Sequence, residues 1–544
     1  MVTFAVMDRR RFLRATAMGG VAVFAHSARL FAQSGKGAPG AIVETAAGRV
    51  RGRLVDRVHT FKAVPYGAST AGARRFLPPV KVTPWTGVRE AFAFGPRSPQ
   101  ILAPFVPEWQ PLTGTEPMSE DCLHLNVWTP GTTASVRRPV MVWLHGGGYT
   151  GGSPAALPYD GANLARRHDV VVVSITHRLN VLGFIHLAEI GGERFRDASN
   201  AGQRDIIAGL EWVRDNIDRF GGDPNNVTIF GQSGGAGKVS TLLGMPAAQG
   251  LFHRAIAQSG SAVTSMPAAT ATQNAEALMS RLNLKANQAD DMQQLPVEQV
   301  LAAMAGPGGR SGFAAAPVVD GRSLPRDVFD PRAWPMSADI PLLIGSTETE
   351  VTWSVNTDYT EPADDAALIA RLKRTIRRTD DEGARGLIEV YRHGRPKSSR
   401  LDLALIMETD ASQFRTGVDL EAERKSAAGR APVYIYRFQW YSPVSAGRLR
   451  AMHCMDIPFA FDNVDNSQAI VGGGTDRQVL ADRMSAAWVA FARGGDPNHA
   501  GLPRWDPFTA SHRATMMFNT ECRPVADPYG AERHALTALS ARAL

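Results

Sequence analysis

Ser233 stands in Gly231-Gln232-Ser233-Gly234-Gly235, a G-x-S-x-G that follows the β-branched and aromatic run Val227-Thr228-Ile229-Phe230. The polar turn Asp223-Pro224-Asn225-Asn226 opens that run as a strand, and an Ala/Leu-rich segment able to form a helix follows the serine. A serine on so sharp a strand-to-helix turn needs glycine two residues before and two after, because side chains there would meet the neighbouring strand and helix. The turn lifts Oγ out of the sheet, and the helix N-terminus behind it favours negative charge. Glycine and serine are common, so the motif alone is weak. Its place between a strand and a helix makes Ser233 the candidate nucleophile.

Such a nucleophile needs an oxyanion site, a base and an acid. Leu144-His145-Gly146-Gly147-Gly148-Tyr149 follows a strand end, and successive glycines let backbone N–H groups approach a ligand oxygen unhindered. Gly147 and Gly148, with the N–H of Gly234, are the expected oxyanion donors. On this architecture the triad runs serine, acid, histidine. Five histidines lie beyond a plausible acid in the 340s: His393, His453, His499, His512 and His534. His453 falls in a polar loop, Ala451 to Phe459, after a predicted strand, where catalytic groups are held. Ser346-Thr347-Glu348-Thr349-Glu350 offers two glutamates for the acid. His and Cys do not cluster at ligand spacing, so no metal is implied, nor any cofactor.

The elements that must hold these residues follow an α/β plan. Ser119 to Trp128 enters a strand, and Val140–Leu144 and Val170–Ile175 are nearly unbroken apolar runs, the mark of strands covered on both faces. Ile206, Leu210, Val213, Ile217 and Phe220 form one helical stripe over 200–220. The order strand, helix, strand, nucleophile, helix predicts a doubly wound α/β fold with a large, mostly parallel mixed sheet. Antiparallel hairpins are expected over 41–61, later strands at 342–345 and 433–440, and a covering helix at 479–492. Segments 61–67, 75–79 and 95–117 read as loops, and 267–312 as a helical insertion. Pocket walls are expected from 95–117, 267–312 and 352–365. No linker divides the strands, so residues 40–544 read as one catalytic domain.

Together these residues resemble the type-B carboxylesterase family of the α/β-hydrolase fold, with its carboxylesterase, cholinesterase and p-nitrobenzyl esterase relatives. Phe220 to Gly235 fits the family's serine signature. Glu120 to Pro130 fits its second signature except at His124, where an aromatic is usual. Gln258-Ser259-Gly260, Val318-Val319-Asp320-Gly321 and Gly495-Asp496-Pro497 are further matches. The resemblance implies a serine esterase working through an acyl-enzyme, with Glu350 as acid and His453 as base. It implies a structural Arg75–Glu120 salt bridge. Gln232 stands where glutamate is usual, Cys454 where glycine is usual, and Ser98 where a cysteine often bridges to the one at Cys122, leaving Cys122 an unpaired, packed thiol. A small-molecule ester is the expected substrate. A lipase or amidase on the same scaffold is the alternative. Non-catalytic cholinesterase-like relatives lose the serine or histidine, and both are present here.

Composition bounds the partners. A hydrophobic fraction of 44% and a charged fraction of 20% are those of an ordinary globular chain, and three cysteines make no disulfide framework. The net charge is +7, of which five arginines and one aspartate in residues 1–32 supply four units. The remaining arginines are scattered, so no nucleic-acid partner is expected. Asp8-Arg9-Arg10-Arg11-Phe12-Leu13-Arg14, then a short apolar stretch from Ala15 to Ala25, resembles a bacterial twin-arginine export signal over residues 1–32. That stretch is too short to span a membrane. The expectation is export by the twin-arginine machinery to the periplasm or beyond, with no stable membrane anchor, as a monomer or small homo-oligomer.

Overall fold

A computed structural model describes residues 37–101, 105–306, 312–377 and 379–541. The segment read as an export signal lies outside them. The strands are β1 (Ala38–Thr45), β2 (Gly48–Val55), β3 (Val58–Pro65), β4 (Val88–Glu90), β5 (His124–Thr129), β6 (Arg138–Leu144), β7 (Val171–Ile175) and β8 (Gly222–Gln232). They continue as β9 (Arg254–Gln258), β10 (Met266–Pro267), β11 (Val318–Val319), β12 (Leu342–Thr347), β13 (Val433–Phe438), β14 (Ala514–Phe518) and β15 (Arg523–Ala526). One sheet runs β1-β2-β3-β5-β7-β6-β8-β9-β12-β13-β14-β15, with β4 beside β2. The pairings from β7 through β14 are parallel, and those at both margins are antiparallel apart from the parallel β2–β4 pair. This is the mixed, mostly parallel sheet expected of the α/β-hydrolase fold.

The period-2 alternation of a strand sorts its side chains between two cores. On β6, Val140, Val142 and Leu144 enter one buried cluster while Met141 and Trp143 enter the other. Both faces are therefore apolar, and the run is unbroken for that reason. The helix Ala201–Asn216 covers the first face with Ile206, Leu210 and Val213, and the helix Asp476–Gly494 covers the second with Met484, Trp488 and Phe491.

One expectation needs correction. Phe61–Pro65 is not loop: β3 spans Val58–Pro65 and pairs with β5. Its register shifts between Phe61 and Val64, with Ala63 at φ +55. That bulge interrupts the alternation by which a strand is recognised. The stretch from 365 to 427, not assigned from sequence, is four helices, Asp365–Thr375, Asp381–Gly394, Arg400–Asp410 and Gln413–Ala427.

The insertion forms Ala268–Arg281, Ala289–Gln294 and Val297–Ala303, which share a satellite core through Leu278, Met279, Met292 and Val300. Arg75 ties it to the body. Its guanidinium makes two bonds to Glu120, at 2.6 and 2.7 Å, and donates to the carbonyls of Met292 and Leu295.

Candidate active site

Ser233 lies between β8 and the helix Gly234–Leu242 with φ +58 and ψ −126. A side-chain-bearing residue is strained in that conformation, which persists only where its surroundings hold it. Here Ser233 N–H donates to Gln258 O at 2.8 Å, and Ser233 O accepts from Gly237 N–H at 3.0 Å. A Cβ on Gly235 would stand 2.0 Å from Leu144 O, so the elbow admits no side chain at that position.

The glycine loop leaves β6 directly beside this turn. Gly147 sits at φ +93, and a Cβ there would stand 2.4 Å from Gly151 O. A Cβ on Gly234 would stand 2.2 Å from Gly148 O. The two segments carrying the expected donor N–H groups are thus in direct backbone contact.

His453 follows β13 and is buried at 3% exposure. Its Nδ1 lies 2.5 Å from Oε2 of Glu350, whose other oxygen accepts from Thr347 N–H at 2.6 Å. A carboxylate only accepts, so Nδ1 carries the proton in this contact, leaving Nε2 as the basic nitrogen of a neutral ring. Glu348 turns elsewhere: its carboxylate accepts from Arg395 at 2.6 Å. The chain leaves β12 at Thr347 and bends at Thr349, which separates the two glutamates.

The two departures around the nucleophile and the histidine meet in space. Gln232 Nε2 lies 3.2 Å from His453 Nε2, and Cys454 Sγ donates to Gln232 Oε1 at 3.2 Å. Cys454 holds φ +77, a left-handed value that suits the glycine usual at this position. Cys122, Cys454 and Cys522 are all free and buried, and burial pushes the Cys122 and Cys454 thiols up, so both stay protonated. Three residues beyond His453, Asp456 accepts from Tyr436 at 2.6 Å and Gln258 at 3.0 Å. Burial raises its carboxyl to about 6.

Ser233, His453, Gly147, Gly148 and Gly234 all line one cavity of about 980 Å³, while Glu350 backs it from behind His453. Sites in open α/β sheets lie at the carboxyl ends of strands, and β6, β8, β12 and β13 all end here. Phe414 and Trp353 stand against the His453 ring, at 4.4 and 6.1 Å between centroids. Phe105 bridges Trp353 and Trp109, completing an aromatic wall.

The expected walls are partly wrong. Residues 97–115 contribute, but 267–312 is absent from the described lining: its flanks Thr264–Met266 and Ala315–Pro317 take its place. The insertion packs its apolar residues into a satellite core shared with Phe76, Val181, Ile185 and Phe195, and only its flanks stand in the described lining. From 352–365 only Trp353 lines it, and Gln413 and Phe414, at the start of an unassigned helix, were missed. Their signal was absent, because a helix start shows no periodicity of its own. Lys238 has a signal in the sequence, as the one charged residue in the uncharged stretch Ala236–Leu243.

The carboxylesterase family model matches residues 39–537. The chain is 33% identical to para-nitrobenzyl esterase of Bacillus subtilis (strain 168), covering 91% of this chain and 98% of that one. It is 35% identical to phenmedipham hydrolase of Pseudarthrobacter oxydans, covering 89% and 96%. Among solved structures, a carboxylesterase of Geobacillus stearothermophilus superposes with a TM-score of 0.78 at 36% identity, over 91% of this chain and 99% of the other. An esterase from Clostridium hathewayi, described as able to hydrolyse aliphatic aromatic polyesters, superposes with a TM-score of 0.78 at 32% identity, over 92% and 98%. Sequence and architecture agree over nearly the whole length, so the chain belongs to the carboxylesterase family and is a carboxylic ester hydrolase of the α/β-hydrolase fold.

Proposed function

We propose that ester hydrolysis here runs through a Ser233–His453–Glu350 triad, with Gly147, Gly148 and Gly234 as the oxyanion donors. The observation that carries this is the 2.5 Å contact between Glu350 and His453 Nδ1, behind a cavity that Ser233 and His453 line together. His453 Nε2 takes the proton of Ser233 Oγ as Oγ attacks the ester carbonyl. The glycine N–H groups stabilise the tetrahedral oxyanion. The C–O bond to the alcohol then breaks, and the imidazolium returns its proton to the departing oxygen. Water repeats the sequence on the acyl-enzyme, its proton passing to His453 and then to Ser233 Oγ as the acid leaves. Glu350 holds the tautomer and stabilises the imidazolium.

The cavity supports a substrate class as well. Phe105, Trp109, Tyr159, Trp353 and Phe414 line it, and Arg97 is the one lysine, arginine or acidic side chain in the described lining. Uncharged esters bearing an aromatic group fit such walls. The para-nitrobenzyl esterase and the esterase described as hydrolysing aliphatic aromatic polyesters are relatives compatible with that class.

The test of the nucleophile is Ser233→Ala. Only one oxygen is lost, so the variant should fold as the parent does while turnover falls by roughly a millionfold. A purified variant keeping a tenth of the parent activity would move the nucleophile elsewhere.

A further inference from the structure

The loop that carries the Gly147 and Gly148 N–H groups works only if its peptide planes are held, because each N–H is rigidly tied to the carbonyl of the preceding residue. Each carbonyl from His145 to Gly148 has a donor. Gly146 O accepts from His145 Nδ1 at 2.8 Å, and Gly147 O from Gly151 N–H at 3.0 Å. The planes of the Gly147 and Gly148 N–H groups are thus held by His145 Nδ1 and Gly151 N–H, and the two planes flanking them share one donor: Lys238 Nζ lies 3.0 Å from His145 O and 2.9 Å from Gly148 O. Lys238 is fully buried, on the helix that begins immediately after Ser233. Its ammonium also faces the Tyr149 ring at 5.5 Å.

Burying a lysine is costly, and two carbonyls offset that cost only in part. Burial pushes its ammonium down to about 7. His145 and His177 stack beside it at 4.8 Å, and burial and the lysine together hold both rings neutral, His145 down to about 3. Among the described residues, no carboxylate bonds Lys238 to give it a purely structural ion pair. An apolar side chain would fill the same helix position at lower cost, so the amine is retained for what it bonds.

We infer that Lys238 is a positioning residue for the oxyanion site, stapling the two carbonyls that bracket Gly146-Gly147-Gly148 to the helix that carries Ser233. It touches no substrate. By clamping the planes on either side of the two donor planes it fixes the loop relative to the nucleophile, so that the distance between attack and charge stabilisation is set by one helix. This rests on the proposed roles of Ser233 and the glycine N–H groups.

The test compares Lys238→Met and Lys238→Gln with the parent enzyme, each normalised by stoichiometric labelling of Ser233 with a fluorescent phosphonate. A misplacement on the order of 1 Å costs roughly a hundredfold in rate. Lys238→Met should therefore lose about ten- to a hundredfold in kcat/KM per labelled site, with most of the loss in kcat. Inhibition by a trifluoromethyl ketone, whose adduct places an oxyanion on the same donors, should weaken in parallel. Binding of the alcohol product, which makes no oxyanion, should not. Lys238→Gln, keeping one donor, should fall between. Unchanged kcat/KM per site, or a fall with unchanged ketone affinity, would overturn the inference. Failure of both variants to fold would assign Lys238 to folding instead and overturn it equally. A parent enzyme that is not labelled at Ser233 would instead sink the nucleophile reading.

Discussion

Oε2 of Glu350 lies 2.5 Å from Nδ1 of His453, while Glu348, two residues earlier, accepts from Arg395 at 2.6 Å. The two carboxylates are both buried, yet one faces the reaction and the other an ion-pair network with Arg395 and Glu532.

Glu350→Gln should therefore cripple kcat, because an amide favours the wrong imidazole tautomer, a change worth about ten-thousandfold in serine proteases. Glu348→Gln should leave kcat per active site within a few-fold of the parent but cost about 1–3 kcal/mol of stability, by weakening a buried charged hydrogen bond. Steady-state kinetics and denaturant titration on both variants separate the roles. The reverse kinetic pattern would move the acid to Glu348.

The amide of Gln232, 3.2 Å from His453 Nε2, is neutral where relatives usually place a carboxylate. Gln232→Glu would set a negative charge beside the imidazole and favour the imidazolium. The base form is the active one, so the acid limb of kcat/KM against pH should move to higher pH. A limb that stays in place would show that this side chain does not tune His453.

Glu421 accepts from Ser240 Oγ at 2.8 Å and from Ala262 N–H at 3.3 Å, and burial raises its carboxyl from 4.5 to about 8. The folded state thus keeps a proton that the unfolded state releases. Its contribution to stability is whole below about pH 4.5 and is lost as pH rises toward 8, by at most about 1.4 kcal/mol per pH unit. Burial lowers neighbouring Lys425 to about 8, so that group acts above this window. Stability of Glu421→Gln, measured by urea unfolding from pH 5 to 8, should fall less steeply than that of the parent; parallel slopes would refute the assignment.

Export is proposed to depend on Arg9 and Arg10 together. A double substitution to lysine in the full chain should leave active, folded esterase in the cytoplasm, since folding precedes this route of transport. Unchanged periplasmic activity would argue against a twin-arginine signal.

Local sequence determined the parts of the site whose geometry is set by neighbours in the chain. The strand before Ser233, the glycine two residues after it and the triple glycine after β6 all express backbone limits acting over a few residues, and those limits do not depend on the rest of the fold. The apolar runs of β6 and β7 likewise reported a sheet covered on both faces. Tertiary structure decided what depends on pairs far apart in sequence. Arg395 takes Glu348 from 47 residues away, and His453 meets Glu350 from 103. Gln232 and Cys454, 222 residues apart, read as separate departures until the fold brings them into contact. The bulge at Ala63 hid a strand because it breaks the alternation that marks one. Lys238 reads as the one charge in an otherwise uncharged helix, and only packing under the glycine loop gives that charge its two carbonyls. A side chain's partner is chosen by the whole fold, whereas a turn is chosen by the residues that make it.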